Sequence, residues 1–183
     1  MALKVTVKLE SRLFQQGAIR SDLQQAVTRA AFGVEKAAKI RVQQGPKTGR
    51  TYRRRAIVKI VGAKQARELT RLGFKPARAD APHKMVVGFR FHRASAPGES
   101  PASDSSNLAN SIRAKPAKIG ADGVSGEVTV GAGYGQGLEE GADGTGKNRT
   151  GRIAARPYLA PALKDEEAAF VADVDQVLAN AVR

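Results

Sequence analysis

Residues 92–112 read HRASAPGESPASDSSNLANSI and separate a strongly basic part of the chain from a weakly acidic part. Pro97-Gly98 and Pro101 interrupt regular structure, so the stretch is predicted to be an ordered connector. A short apolar turn at Leu108-Ala109 follows it. Three polar residues before this turn are candidate helix caps: Asp104, Ser105 and Ser106.

The charge asymmetry across this connector is large. Residues 1–93 contain 22 Lys or Arg and 5 Asp or Glu, whereas residues 94–183 contain 9 and 12. The net charges are therefore +17 and −3, which give the +14 of the whole chain. A strongly positive electrostatic field over one part of the chain indicates a polyanionic partner, either nucleic acid or an acidic protein surface. A solvated basic face is the alternative.

Bulk composition indicates a globular domain. With 183 residues, of which 42% are apolar, the chain can form one core, and we expect a single domain over residues 1–183. The absence of cysteine excludes disulfides and fits a reducing compartment. No apolar run approaches the roughly 20 residues of a membrane span, and the N-terminus lacks an apolar signal core. We therefore expect a cytoplasmic protein without a membrane contact.

The first third of the chain predicts a strand followed by a helix. Apolar and polar residues alternate over residues 3–10, which is typical of a half-buried strand. Ser21 and Gln24 have the spacing of a capping box, so we expect a long helix from there to about Val42. Gly45-Pro46 then ends the helix.

The remaining elements complete an α+β pattern. Residues 56–61 and 85–91 read as short strands around a helix at about residues 64–72, and together resemble an excursion from the main fold. Residues 111–118 and 125–130 predict a hairpin. Residues 131–146 are glycine-rich and predict a mobile loop.

A last helix is predicted over about residues 162–182. Its inner face is expected to carry Leu163, Phe170, Val174, Val177, Leu178 and Ala181. The fold class is therefore a small twisted, mostly antiparallel sheet packed by a long helix in the N-terminal half and a C-terminal helix, with an inserted excursion and long loops.

The sequence motifs that could indicate catalysis or a cofactor lack residues or a context that such sites require. GADGTGKN at residues 141–148 ends in Asn148 where a phosphate-binding loop needs Ser or Thr, and no apolar strand precedes it. His83 and His92 are the only histidines, which together with the lack of cysteine argues against a metal site. Glu139 and Glu140 are adjacent and are expected to be solvated. We expect no enzyme activity, no cofactor and no metal.

Two segments are candidate binding sites. Residues 47–55 form the densest basic run, in which Tyr52 is placed to stack on a base. The candidate residues facing DNA or an acidic partner are Arg50, Arg53, Arg54, Arg55, Lys59 and Lys64. The second segment is predicted to dock, either internally onto the sheet or onto another subunit, and consists of Arg156, Pro157, Tyr158 and Leu159.

Three patterns stand out against this background: GRTYRR at residues 49–54, HRASAPGESP at residues 92–101 followed by Asn107-Leu108, and ARPYLAPAL at residues 155–163. Taken together they resemble the tail-component family of long-tailed phages, which includes head-tail joining, tail-completion and minor tail proteins. The resemblance covers roughly residues 43–170. Residues 56–91 depart from the family pattern and are interpreted as an insertion.

The resemblance implies a virion protein that is assembled in the host cytoplasm. It implies a ring, usually sixfold, at the neck or upper tail, with connector and tail-tube or tail-terminator proteins as neighbours and with non-specific contact to passing double-stranded DNA. The connector is then expected to be an arm that reaches a neighbouring subunit. The residues assigned to this intersubunit arm are His92, Arg93, Pro97, Gly98, Pro101, Asn107 and Leu108.

A different function class also fits the composition. A free basic nucleic-acid-binding protein of the ribosomal or nucleoid-associated kind would show the same charge asymmetry without forming a ring. The oligomeric state distinguishes the two hypotheses.

Overall fold

Small and apolar residues that recur every three or four positions form the long helix α1, which spans Gly17–Gln44. The structure, a computed structural model, describes residues 3–9, 17–103, 105–121, 123–145 and 148–181. In α1, Leu23, Val27 and Val34 are buried, as are several alanines between them. The helix ends where predicted, before Gly45, whose N–H donates to the carbonyl oxygen of Arg41 at 2.9 Å.

A three-stranded antiparallel sheet packs against α1. Its order is β1 (Leu3–Leu9), β5 (Val124–Val130) and β4 (Ile112–Ile119), with β5 in the centre. Alternate residues of β5 are buried, as its period-two pattern requires. A Cβ at Gly126 would lie 3.0 Å from Cγ1 of Val27, so the glycine permits the close approach of helix and sheet.

Helix α5, spanning Leu159–Ala181, runs beside α1. Two ion pairs join the helices: Arg29 Nε lies 2.8 Å from Asp173 Oδ2, and Arg41 Nε donates to Asp165 Oδ2 at 3.1 Å. The short helix α3, Asn107–Ser111, adds Leu108 to the core that α1, β5 and α5 share. The predicted α+β class, with a long helix, a C-terminal helix and small antiparallel sheets, is confirmed.

The chain forms two compact units. The main unit consists of residues 1–47 and 95–183, and the ribbon unit is Thr48–Ala94. The ribbon unit contains β2 (Thr51–Ile60), α2 (Ala63–Arg71) and β3 (Lys84–Arg93). The predicted insertion at residues 56–91 lies inside this unit.

Some predicted boundaries and caps need correction. Helix α1 begins four residues before Ser21, so the capping box is wrong, and Gln24 Nε2 instead donates to the carbonyl oxygen of Ala117 at 2.7 Å. Ser106 precedes α3 but its side chain makes no capping hydrogen bond. Asp104 lies outside the described residues. Residues 51–55 of the basic run belong to strand β2.

The glycine-rich segment is also more regular than predicted. Over its described residues, 131–145, it contains helix α4 (Gly135–Glu139) and strand β6 (Ala142–Thr145), which pairs with β7 (Gly151–Ile153). The prediction of a mobile loop is therefore wrong there. Helix α5 starts three residues earlier than predicted, and its Leu163 is 37% exposed rather than on the inner face. Val182 lies outside the residues that the structure describes.

Candidate functional site

The two strands of the ribbon unit form an antiparallel ribbon from β-branched and aromatic residues. Thr51 pairs with Arg93 at one end, and Ile60 pairs with Lys84 at the other. The register shifts twice, between Arg53 and Arg55 and between Ile57 and Val58. Such bulges increase the local right-handed twist of a ribbon.

One face of the ribbon is only partly covered. Phe89 and Phe91 alternate along β3 and share a face, on which Phe89 pairs with Ala56 and Phe91 with Arg53. The bulge at Val87 interrupts the alternation, so Met85 lies on the other face, where Ala66 and Leu69 of α2 pack against it. Met85 is 1% exposed, whereas Phe89 is 41% and Phe91 67% exposed.

A basic side chain lies on this bare surface. The guanidinium carbon of Arg53 is 4.2 Å from the ring centroid of Phe89, which is the geometry of a cation–π contact. Arg53 also pairs with Phe91 across the strands. We call Arg53, Phe89 and Phe91 the aromatic face. The opposite face carries Tyr52, paired with His92, and the Arg50 guanidinium carbon lies 5.6 Å from the Tyr52 ring centroid.

Most of the protein's excess charge is on this unit. Thr48–Ala94 contains 13 Lys or Arg but only 2 acidic residues, a net charge of +11, and the rest of the chain contributes +3. The two acidic residues, Glu68 and Asp80, are exposed and form no ion pair with any described residue. The positive field of the ribbon is therefore little neutralised from within.

The predicted basic site residues all belong to the ribbon unit. Those with described side chains are exposed: Arg50, Arg53, Lys59 and Lys64. Arg54 and Arg55 lie in β2, with side chains outside the description. The structure thus brings these residues onto one twisted ribbon and the helix that follows it.

The connector is held by its own main unit. Ser95, Ser100 and Pro101 are buried. The Gly98 N–H donates to the carbonyl oxygen of Ala155 at 2.9 Å, and Ser100 Oγ donates to that of Pro157 at 3.3 Å. These contacts fix the stretch within its own chain, and its expected contact with a neighbouring subunit stays a prediction.

The other residues assigned to the intersubunit arm have separate positions. Pro97 and Gly98 are exposed, so their contact with a neighbouring subunit stays a prediction. Asn107 begins α3, and Leu108 is buried in the core. The first two residues of the set, His92 and Arg93, end β3 in the ribbon unit, where Arg93 Nε donates to the carbonyl oxygen of Gly49 at 3.4 Å.

The predicted docking segment docks internally. Tyr158 is 0% exposed and Leu159 is 1% exposed. The Tyr158 hydroxyl donates to the carbonyl oxygen of Gly135 at 3.3 Å, and Arg156 donates from its backbone to Leu138 and from its side chain to Ser95. Burial raises the pKa of the Tyr158 phenol, and the nearby Glu139 and Tyr134 raise it further. The phenol therefore stays protonated as a donor.

Glu139 has a structural role that its sequence context does not reveal. Its Oε2 accepts the N–H groups of Tyr158 and Leu159 at 2.8 and 3.0 Å, and its Oε1 accepts that of Ala160 at 2.8 Å. The expectation that Glu139 is solvated is therefore wrong. One signal was present: no Ser, Thr, Asp or Asn stands at the start of α5, so its first N–H groups need an acceptor from elsewhere.

Other kinds of site receive no support from the residues that the structure describes. They contain no group of three or more His, Asp or Glu side chains suited to a metal ion. None of their helices is long and apolar enough to cross a membrane.

No protein-family model matches this chain, and neither a curated protein sequence nor a solved structure matches it significantly. The function therefore has to be inferred from the chain itself.

Proposed function

We propose that this protein is a structural subunit of a tailed-phage virion, a tail-completion or neck component. Copies of it form a ring at the head-tail interface or upper tail, and double-stranded DNA passes through that ring. The neighbours in this proposal are connector and tail-tube or tail-terminator proteins. The role requires binding and assembly, without a catalytic step.

The observation that carries the proposal is the charge of the ribbon unit, +11 on Thr48–Ala94. In a ring, symmetry repeats this charge once per subunit, which produces a strongly positive field around the axis if the ribbons face inward. Contact with DNA would be made through phosphates, since a protein that lets DNA pass must not hold a particular sequence.

The packing of the main unit also supports the proposal. Two of the segments that carry the phage resemblance are distant in sequence but bonded to each other, through Gly98 with Ala155 and Ser100 with Pro157. The third, at residues 49–54, begins the ribbon unit. The resemblance therefore rests on parts of the fold that cooperate rather than on isolated stretches.

The test is replacement of the basic run. A variant with Arg53, Arg54 and Arg55 changed to Ala is expected to join DNA-filled heads to tails at a reduced yield, and to bind duplex DNA with a salt slope lower by about 2 to 3. A matched control removes three exposed charges from the main unit: Lys36, Lys118 and Arg152. Normal joining by the Arg variant would contradict an essential role for the run.

A second candidate is a free nucleic-acid-binding protein. The two-stranded ribbon favours it, because such a ribbon fits the major groove of B-DNA. Native mass measurement separates the two functions. A monomer with high, salt-sensitive affinity for free duplex supports this candidate, whereas a closed ring or assembly on tail tubes supports the virion role.

A further inference from the structure

An apolar groove with an acidic rim runs between α1 and α5 of the main unit. Its volume is about 460 Å³. Ala30, Val34, Leu163 and Phe170 supply its apolar lining. A groove of this kind on a helix pair leaves apolar surface in contact with water, which favours occupation by an apolar partner.

The acidic rim consists of Glu166 and Glu167, which form no ion pair with any described residue. Asp165 and Asp173 on the same helix are neutralised by Arg41 and Arg29. Lys164 also lines the groove, but α5 as a whole carries five acidic residues against this one lysine. The groove is therefore a negatively biased apolar surface.

The aromatic face of the ribbon unit has the complementary chemistry. Phe89 and Phe91 expose large apolar rings, and Arg53 lies beside them on a unit of net charge +11. Exposed aromatic rings beside arginine are typical of the centre of a protein–protein interface. An acidic apolar groove and a basic aromatic face thus occur on the same chain, each without a described partner for its exposed part.

We propose that the groove between α1 and α5 binds the aromatic face of a second copy of this chain, with Glu166 and Glu167 facing the basic side chains around Phe89 and Phe91. This inference rests on the proposed ring assembly and identifies the contact between neighbouring subunits of that ring. The two surfaces differ, so the contact is head-to-tail, and such contacts close into rings when the rotation between neighbours permits.

The alternation of β3 makes this contact compatible with DNA binding. Phe89 and Phe91 share one face, whereas Arg90 and His92 are on the other. Docking of the aromatic face would therefore leave the opposite face of the ribbon available to phosphates. The ribbon then has two partners, one for each face.

Charge reversal tests the contact. One variant changes Glu166 and Glu167 to Lys, and the other changes Arg53, which pairs with Phe91 on the aromatic face, to Glu. Wild-type protein is expected to associate with rising concentration in sedimentation experiments. Each variant alone is expected to raise the dissociation constant at least about 100-fold, because like charges then face each other. Mixing the two variants, or combining all three changes in one chain, restores association.

Three results would overturn the inference: a wild-type protein that is monomeric at every concentration, a groove variant that associates as tightly as wild type, or reversals that fail to compensate each other. A monomeric wild-type protein is the result expected if the ribbon occupied the groove of its own chain, or if the groove bound a different protein. Circular dichroism of each variant checks folding. If a reversal unfolds the chain, the milder Glu166→Gln and Glu167→Gln pair is used, and it is expected to weaken association about tenfold.

DNA binding by the same variants separates this inference from the proposed function. The groove variant keeps its ribbon and gains positive charge on α5, so its affinity for duplex as a monomer is expected to be at least that of wild type. Loss of association with retained DNA binding supports the contact even if the protein never joins a head to a tail. If the groove variant forms a normal ring, the proposed contact is wrong, but the proposed ring function is not contradicted.

Discussion

The Glu139 carboxylate accepts the backbone N–H of Tyr158 at 2.8 Å, although the two residues are 19 positions apart. The Tyr158 hydroxyl completes the connection by donating to the carbonyl oxygen of Gly135, at the start of the same short helix, α4. Helix α4 therefore supplies both the cap of α5 and the acceptor for its buried tyrosine. The start of α5 therefore depends on α4 for its hydrogen bonds.

Removal of the Glu139 carboxylate should destabilise the main unit. Glu139→Ala leaves three N–H groups at the start of α5 without their acceptor and removes a negative charge from the positive end of the helix dipole. We expect a loss of about 2 kcal/mol in the free energy of unfolding, measured by denaturant titration. Glu140→Ala, at the exposed neighbour, should change it by less than about 0.5 kcal/mol.

A side chain at Gly135 should be poorly tolerated. A Cβ there would lie 2.8 Å from Cγ1 of Val130 and 2.9 Å from the Tyr158 hydroxyl oxygen. Gly135→Ala is therefore expected to cost about 1 to 3 kcal/mol and to displace the Tyr158 hydrogen bond. Gly133→Ala is the matched control, since nothing lies within 4 Å of its Cβ position. Equal stability of the two variants would contradict the tight packing at Gly135.

Glu35 should make stability depend on pH. Its side chain is 14% exposed, its Oε2 accepts the N–H of Ala114 at 2.6 Å, and its Oε1 pairs with Lys39. Burial acts to raise the pKa of this carboxyl. The hydrogen bonds from Lys39 and Ala114, with the charges of Lys39 and Arg113, together outweigh it, so the pKa lies below its ordinary value of 4.5.

Because the folded-state pKa is lowered, the stabilisation by ionised Glu35 is fully present above pH 4.5 and is lost as pH falls through the lowered value. Glu35→Gln should lose about 1 kcal/mol relative to wild type near neutral pH. The difference between the two proteins should shrink in acid. Asp143→Asn, at a side chain that is 82% exposed, is the control and should show little of this dependence. A difference for Glu35→Gln that is constant down to low pH would refute the assignment.

The main unit should fold without the ribbon. The ends of the ribbon unit meet through two hydrogen bonds, from Gly49 N–H to the Ala94 carbonyl oxygen at 2.9 Å and from Ala94 N–H to that of Arg50 at 3.0 Å. Replacement of residues 50–93 by two glycines therefore spans a short distance. We expect cooperative thermal unfolding within about 5 °C of wild type, and loss of most salt-dependent DNA binding. An unfolded product would show that the main unit depends on the ribbon.

The fold class follows from local patterns. The alternation in residues 3–9, the apolar spacing around Val27 and Val34, and the hairpin strands of β4 and β5 each depend on neighbours in sequence, and such periodicities can be recognised without tertiary information. The end of α1 at Gly45-Pro46 has the same local origin.

The missed features depend on contacts between distant residues. Glu139 looks like half of an exposed acidic pair until α5 is placed against α4. Gly135 belongs to a stretch whose composition predicts flexibility, yet it is required because Tyr158 packs on it. Ser21 has the spacing of a cap, but the helix continues on its N-terminal side. In each case tertiary packing overrides the local pattern.

The candidate site was predictable in composition but not in shape. The basic residues from Arg50 to Lys64 are evident in the sequence. The exposure of Phe89 and Phe91 depends on which face of the ribbon α2 covers, and the groove depends on how α1 meets α5. Both are properties of packing, which no single segment encodes.

The hydrogen-bonded pair of Gly49 and Ala94 closes the base of the ribbon, so that the ribbon's length can change. Each residue added to both strands lengthens an antiparallel ribbon by about 3.4 Å, and adding two to each strand preserves which side chains share a face. Evolution could therefore change the length of the ribbon in discrete steps without altering the sequence of the main unit. The same junction offers a site where an engineer could graft ribbons of chosen length.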